Sequence, residues 1–396
     1  FVDCYKHRNR NKKNNVYLVD GSSKILNSLN SIKINSIKLN NGFHGIEMPR
    51  ATSLVYFIKK KLKVKLNVHN KIQKLLLNRF IVDYKDSFSK WPEIIKKNLK
   101  KNFKVKKSDI FNQFYSKDLL QLVNECAKRF NENKNEYRHL FLPWFLPKEY
   151  KLQSNDEGDV FRQKVRENKI VFKFATPKLK LFSVLQKKFD LLLRKKGVQI
   201  ILNSSVKFKK KNLLFENHKH MNNQKFDNIF FCAPLAFILK TLNPNHMKQL
   251  TRYKRYLLNV LLKVEKKIGF TEMICLNKKL RGLNRVSVVK KNNLKNISIL
   301  QLEIISEESN LKPIHKKKIK EELQKIFKLK KKPIFMGYKT SRLMFFPNKA
   351  WNTKSVKIIK TWKNKFKNKI NLRYSFGPIN MAKAWIYSIE DAKLND

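Results

Sequence analysis

The stretch Asn15-Val16-Tyr17-Leu18-Val19-Asp20-Gly21-Ser22-Ser23 decides how this sequence is read. Val16 to Val19 form an unbroken β-favouring run, Asp20 closes it on an acid, and Gly21-Ser22-Ser23 supplies turn-forming residues. A short strand and its exit turn are expected here. Before it, Phe1 to Lys13 holds few apolar positions and reads as the tail of a helix.

A strand ending on an acid has a particular meaning in dinucleotide-binding units. Such a unit runs strand, Gly-rich turn, helix and second strand, with the acid of the second strand placed to bind ribose hydroxyls. Val16 to Asp20 fits the second strand. The 19 residues before Asp20 contain no glycine, and glycines are needed in that turn because side chains would hold phosphates away from the backbone amides. Either the Gly-rich turn lies upstream of Phe1, the chain then being a fragment that starts one strand late, as is expected, or the polypeptide does not bind a dinucleotide in the usual way.

Outward from this point, Ser31 to Leu39 carries alternating Ile and reads as extended, up to the turn Asn40-Asn41-Gly42. Phe43-His44-Gly45-Ile46-Glu47-Met48-Pro49-Arg50 follows. A long helical region is expected from Ala51 to Arg138, broken at Trp91-Pro92; Leu119, Leu120, Leu122, Val123, Cys126 and Phe130 mark one face of it. Leu142 to Pro147 is a proline-bounded aromatic loop, and Asp156-Glu157-Gly158-Asp159 an acidic run. Beyond Pro177 come a helix (Phe182 to Arg194), a stop at Gly197 and a strand (Val198 to Leu202). Short strands are expected at Val206 to Phe208 and Asn212 to Phe215, with a buried strand from Asp227 into a turn at Pro234. Leu257 to Val264 and Ile297 to Ile305 are expected strands of a second sheet, and Pro313 to Phe327 a charged helix.

In order, these segments resemble the FAD-dependent amine oxidase superfamily, which includes protoporphyrinogen oxidase, phytoene desaturase and UDP-galactopyranose mutase-like proteins. The resemblance rests on Asp20, on Gly42-Phe43-His44-Gly45, on Pro177 with the helix and Gly197-Val198-Gln199-Ile200 after it, and on Val206. Asp227 to Pro234 and Gly377-Pro378-Ile379-Asn380-Met381 complete the set. Ile25 to Leu29 stand where the family has a double glycine, and Lys178 and Lys180 where it has further glycines.

What the resemblance implies is an α/β fold: a Rossmann-type FAD/NAD(P)-binding domain, lacking its first strand and Gly-rich loop, with an inserted α+β substrate domain. The cofactor domain would comprise residues 1–50, 170–245 and 365–396, and the substrate domain 51–169 and 246–364. FAD would be held by Asp20, Gly21, Ser22, Val206 and Pro234. Its isoalloxazine would lie between Gly42, Phe43 and His44 on one side and Gly377, Asn380 and Met381 on the other. The implied reaction is hydride transfer between a small-molecule substrate and the flavin.

His44 is the catalytic candidate, since a neutral imidazole donates or relays a proton near pH 7, and the flanking glycines let the backbone approach a ligand. A turn histidine satisfied by backbone is the plainer alternative. Arg50 is a candidate contact for an anionic substrate; Glu47, three residues before it, makes a surface ion pair the plainer role. Trp144 and Phe145 suit a lid or a buried anchor. The acidic run lacks the ligand spacing of a calcium loop and reads as a solvated turn. His218 and His220 have no cysteine or carboxylate cluster beside them, so metal binding is not expected there.

The chain of 396 residues has 89 Lys and Arg against 29 Asp and Glu, a formal charge of +60. Such a balance often marks nucleic-acid binding. Here lysines outnumber arginines roughly five to one and run from end to end, which reads as a solvated surface. With no RNA-binding aromatic motif and no Arg-rich readout helix, nucleic acid is not the expected partner. Cys4, Cys126, Cys232 and Cys275 form no CxxC pair, so neither a zinc ribbon nor a disulfide framework is expected. A cytoplasmic flavoenzyme without a membrane span is the leading expectation. The alternatives are a mutase-like flavoenzyme acting on a nucleotide sugar, and a Rossmann relative without cofactor or a basic nucleic-acid-binding protein.

Overall fold

A computed structural model describes residues 15–41, 45–49, 51–77, 80–83, 104–106, 151–153, 157–177, 181–209, 212–222, 224, 226, 229–231, 238–239, 242–250, 254–276, 279–280, 282–292, 294, 296–345, 349–365 and 370–372. The first part of the chain runs β1 (Val16–Val19), β2 (Ser31–Ile34), β3 (Ile37–Asn40), β4 (Ile46–Met48), α1 (Thr52–Lys60), β5 (Leu66–Asn70), β6 (Gln73–Leu77) and β7 (Phe80–Asp83). Next come β8 (Lys104–Lys106), β9 (Lys151–Gln153), α2 (Glu157–Arg166), β10 (Lys173–Pro177), α3 (Ser183–Lys195), β11 (Val198–Ile201), β12 (Val206–Lys209), β13 (Asn212–Phe215) and β14 (Ile229–Phe231). The last part holds α4 (Pro244–Lys248), β15 (Lys254–Val264), β16 (Glu272–Leu276), β17 (Leu283–Asn292), β18 (Ile297–Ser306), α5 (Pro313–Phe327), β19 (Ile334–Phe345), α6 (Lys349–Lys365) and β20 (Ile370–Leu372).

The dominant element of this mixed α/β fold is a seven-stranded sheet in the order β19-β15-β18-β17-β16-β6-β7. Its pairs are antiparallel except β6 with β16, which run parallel. One face is apolar: Leu258, Val260 and Leu262 of β15, Leu300 and Leu302 of β18, and Val286 of β17 pack with Ile319, Leu323, Ile326 and Phe327 of α5. Each such side chain contributes on the order of 2 kcal/mol by leaving water. α5 is well delimited, with Pro313 in its first turn and Lys328 in the left-handed region at its end.

The opposite face of this sheet is covered near β15 by the hairpin β2–β3, whose Ile32, Ile34 and Leu39 pack on Leu261. The hairpin turns at Asn35, which has a positive φ of 52°, and Asn35 Nδ2 donates to the Met336 carbonyl at 2.6 Å. Gly337 permits this docking. Its φ is +144°, and a Cβ there would lie 2.8 Å from Ile34 Cγ2.

A second core lies around the antiparallel sheet β4-β10-β5. Leu54, Val55 and Ile58 of α1 and Leu185 of α3 meet Ile46, Leu66 and Ala175 there. The two-residue link Lys71-Ile72 carries the chain from β5 in this sheet to β6 in the large one. Beside these, β1 pairs in parallel with β11, β14 in parallel with β20, and β12 with β13 as a hairpin.

Much of the expected pattern is present: β1, α3, the Gly197 stop at φ 67°, β11 to β15, β18 and α5 fall where the sequence placed them. Two expectations need correction. The helix expected from Ala51 to Arg138 ends at Lys60, because Leu62, Val64 and Leu66 are buried while Lys61, Lys63 and Lys65 are exposed. That period of two belongs to extended chain, and β5, β6 and β7 follow. Ser31 to Leu39 is two strands folded back at Asn35, with Ile34 opposite Ile37. The aromatic loop at Leu142 to Pro147, the helical face at 118–130 and the N-terminal helix tail lie outside the described residues.

α4 is clamped to α6 through His246. Its ring stacks on Trp351 with centroids 4.8 Å apart. The Ser355 hydroxyl donates to the Trp351 carbonyl, so His246 Nε2 is the donor in its 2.9 Å contact with Ser355 Oγ. Nδ1 is then the bare nitrogen, buried and without a partner. Burial, and after it the Lys354 charge, hold the His246 pKa below the ordinary 6.5. Because the unfolded chain takes the proton first, stability is full above the unfolded value of 6.5 and falls as pH drops below it toward the folded pKa. Urea midpoints are expected to fall between pH 7.5 and 5.5 in the natural chain, with a shallower slope in His246→Phe; equal slopes would exclude this titration.

Candidate functional site

β1 and β11 run parallel, Val16 opposite Val198 through Val19 opposite Ile201, and their carboxyl ends are tied by backbone. Asp20 N–H donates to the Ile201 carbonyl at 2.9 Å, Asn203 N–H to Ser22 at 3.0 Å and Ser204 N–H to Asp20 at 3.2 Å. In open α/β sheets, ligands bind outside the carboxyl ends of the strands. Here that edge carries Asp20, Gly21, Ser22 and Ser204, with Val206 two residues further along the chain.

The Asp20 carboxylate is oriented by the turn that follows it. Ser22 N–H donates to Oδ1 at 2.9 Å, and the Ser22 hydroxyl lies 2.7 Å from the same oxygen and 2.6 Å from the Lys24 carbonyl. Oδ2 has no partner among the described residues. Ser204 is 2% exposed, and its hydroxyl also lacks one. Asp20 is thus half-buried with one carboxylate oxygen held by its turn, while the Ser204 hydroxyl is enclosed.

Of the other residues singled out in the sequence, Gly42, Phe43, His44, Arg50, Pro234, Gly377, Asn380 and Met381 lie outside the described residues. The chain re-enters at Gly45, whose absent Cβ matters: it would stand 2.6 Å from Phe174 Cγ. On the other side, Asn41 Nδ2 donates to the Ser341 carbonyl at 3.3 Å, and its buried Oδ1 has no partner. His218 and His220 meet edge to face at 5.8 Å, and no metal-binding group is found among the described residues. Glu157 to Asp159 of the acidic run open α2 rather than a turn.

The arrangement that the sequence did not reveal is a polar band on the hairpin-side face of the large sheet. Residues opposite each other in a ladder share a face. Gln73 stands opposite Glu272, Glu272 opposite Ser287, and Ser287 opposite Gln301. In the adjoining row Arg285 stands opposite Glu303 and Glu303 opposite Asn259. Glu272, Glu303, Gln301 and Asn259 are each at most 3% exposed.

Most of these groups are joined. Arg285 donates twice to Glu303 Oε2, at 2.9 and 2.6 Å, and once to Glu272 Oε2 at 3.3 Å. Lys71, from the link between the sheets, reaches Glu272 Oε1 at 2.9 Å and lies 4.1 Å from the centre of the Phe174 ring. Gln301 donates to Asn259 Oδ1 at 2.6 Å and toward the Asn40 carbonyl at 3.3 Å; Asn259 donates to Ser341 Oγ at 2.6 Å. Gln73 Oε1 and Ser287 Oγ, either side of Glu272, remain without partners.

Lys71-Glu272-Arg285-Glu303 is therefore a chain of alternating charge. Burial pushes the Lys71 pKa down, opposed chiefly by Glu272. Burial also works against the Arg285 charge, but Glu303 and Glu272 together lift its pKa well above the usual value. Replacing one member of such a group strands its partners without compensation, at about 3–5 kcal/mol. Glu272→Gln is expected to lower stability by that amount, and Lys71→Met added to it to recover part of the loss; a single variant as stable as the natural chain would contradict this charge balance.

No family profile matches the chain, and no curated protein matches its sequence. Solved structures do. A candidate protoporphyrinogen oxidase from Exiguobacterium sp. 255-15 is similar over 98% of this chain and 96% of its own, with a TM-score of 0.55 and 11% identity. A putrescine oxidase redesigned in cofactor binding covers the same shares, with a TM-score of 0.54 and 10% identity. A fatty acid isomerase from P. acnes that produces CLA covers 96% and 92%, with a TM-score of 0.53 and 7% identity. At such identities the likeness establishes the fold. It agrees with the mixed α/β class that the ordered motifs implied.

Proposed function

We propose that this chain is a flavin-dependent oxidoreductase that binds FAD along the β1/β11 edge and a small-molecule substrate in the second domain, formed by the middle region and the strands after Leu257. The observation that carries the reading is the placement of Asp20: an acid at the carboxyl end of a strand paired in parallel, its Oδ1 held by Ser22 and its Oδ2 without a partner among the described residues. A carboxylate oxygen so placed fits a ribose, whose hydroxyls donate to it. The fold shared with two proteins named as oxidases supports it.

FAD, when bound, supplies a hydride acceptor and donor at N5. The chain's own residues do the rest. Asp20, Gly21 and Ser22 hold the ribose end, and Val206 offers backbone to the adenine. On this reading Gly42, Phe43 and His44, with Pro234, Gly377, Asn380 and Met381, would hold the flavin end. His44 holds or passes a proton, and Arg50 orients an acidic group of the substrate. The division into a cofactor domain (1–50, 170–245, 365–396) and a substrate domain (51–169, 246–364) belongs to the same reading. So does a cytoplasmic setting; no helix among the described residues is long and apolar enough to cross a membrane.

The polar band of the large sheet is self-neutralising, because Lys71 and Arg285 are both committed to carboxylates. A diphosphate would find no unpaired cation among these residues, so the observations favour oxidoreduction over a nucleotide-sugar mutase. The test is reconstitution: purified chain incubated with FAD and desalted is expected to keep a flavin spectrum and to bleach under dithionite. Asp20→Ala should weaken FAD binding at least about tenfold, the loss of one charged hydrogen bond. A colourless protein that takes up no FAD would overturn the proposal.

A further inference from the structure

One end of the large sheet gathers positive charge. There Ile334 of β19 stands opposite Lys263 of β15, Lys263 opposite Ile299 of β18, and Ile299 opposite Lys290 of β17. Just beyond this row the chain is tied into one rim. Lys267 N–H donates to Asn296 Oδ1 at 2.7 Å, Lys266 Nζ donates to the carbonyl of Phe327 at the end of α5 at 2.7 Å, and Lys331 pairs with Glu265 at 3.1 Å. The three segments so joined, 263–268, 290–297 and 328–334, hold ten lysines and one carboxylate, Glu265. From α5, Glu321 reaches Lys332 at 3.6 Å. Lys267, Lys290, Lys328 and Lys330 are exposed and have no ion pair among the described residues. The turn between β17 and β18 lies at this same end, and at its tip Leu294 is 100% exposed. Lys290, Lys291 and Lys295 flank it in the chain.

We propose that this end of the sheet docks on an anionic phospholipid bilayer, with Leu294 entering the interface and the surrounding lysines meeting headgroup phosphates, independently of the flavin reading. A single exposed leucine is ordinary on a protein surface. Its setting makes the case, since an apolar tip among unpaired cations matches a surface that is apolar beneath and negative above. Each lysine near such a surface strengthens binding about fivefold, and four here need break no ion pair to do so. Nucleic acid also attracts lysines, but the three segments contain no arginine for base contacts and no aromatic residue for stacking. A second copy of the same face would bring like charges together. A protein partner would have to supply a socket cut to Leu294, whereas a fluid bilayer accepts it without one.

The experiment is co-sedimentation of the full chain with vesicles of phosphatidylcholine, alone or with about one-third phosphatidylserine, at about 0.1 M salt, where charges act over about 10 Å. The anionic vesicles are expected to retain the chain and the zwitterionic ones to leave it in solution. Lys290→Gln combined with Lys330→Gln should weaken retention about twentyfold. Leu294→Ser should weaken it at least about threefold and leave binding to duplex DNA unchanged. Because the whole chain is basic, the control removes the same charge elsewhere: Lys59→Gln with Lys60→Gln, both exposed on α1, should alter retention by less than about twofold. The proposal is overturned if anionic vesicles do not retain the chain, if the α1 pair matters as much as Lys290 and Lys330, or if Leu294→Ser binds as the natural chain does. Nucleic acid takes the place of lipid if losing Lys290 and Lys330 weakens binding to duplex DNA and leaves vesicle binding unchanged.

Discussion

The alternating ion chain Lys71-Glu272-Arg285-Glu303 is the interaction on which the described architecture hangs. Burying four ionic groups costs several kcal/mol for each, and only alternation of sign with good geometry offsets it. That requirement fixes three things at once. β6 must lie beside β16 in the parallel register that sets Gln73 opposite Glu272; Arg285 of β17 must face both carboxylates; and the β5–β6 link must bring Lys71 over the edge of the sheet. Since β5 belongs to the smaller sheet, one ion pair holds the two cores in relation. Hydrophobic burial under α5 makes the sheet stable, while the charge chain specifies how its edge is assembled.

The same requirement explains what the polar band is for. A sheet face carrying Gln73, Glu272, Ser287, Gln301, Glu303 and Asn259 is a poor way to build a core, because each buried polar group must be paired or be paid for in stability. Most are paired, through Asn40, Ser341 and one another. The exceptions, Gln73 Oε1, Ser287 Oγ and Asn41 Oδ1, are acceptors or a hydroxyl, and none is a stranded charge.

The local elements were legible where one physical signal dominated. Pro313 opens α5, Gly197 stops α3, and the apolar run before Asp20 is a strand. The stretch after Lys60 was misjudged because lysines alternate with Leu62, Val64 and Leu66, and a lysine-rich surface obscures a period of two. Asp20 was legible as a candidate because an acid at a strand end is a local pattern; what the structure adds is its place at the end of a parallel pair. The polar band was not. Its members come from β6, β15, β16, β17 and β18, and only strand register brings Gln73, some two hundred residues away, beside Glu272. The one local trace was the alternation Leu300-Gln301-Leu302-Glu303-Ile304, in which the polar residues share a face.

Asp20 began as a residue at the end of a β-favouring run and becomes a fixed point of the fold: oriented by Ser22, tied by backbone to Ser204 and seated at the end of a parallel pair. Its proposed role is open to direct view. A crystal structure of the chain grown with FAD is predicted to place the adenosine ribose at the carboxyl ends of β1 and β11, with its hydroxyls on Asp20 Oδ2. FAD density elsewhere, or a bound ribose out of reach of Asp20, would contradict the account.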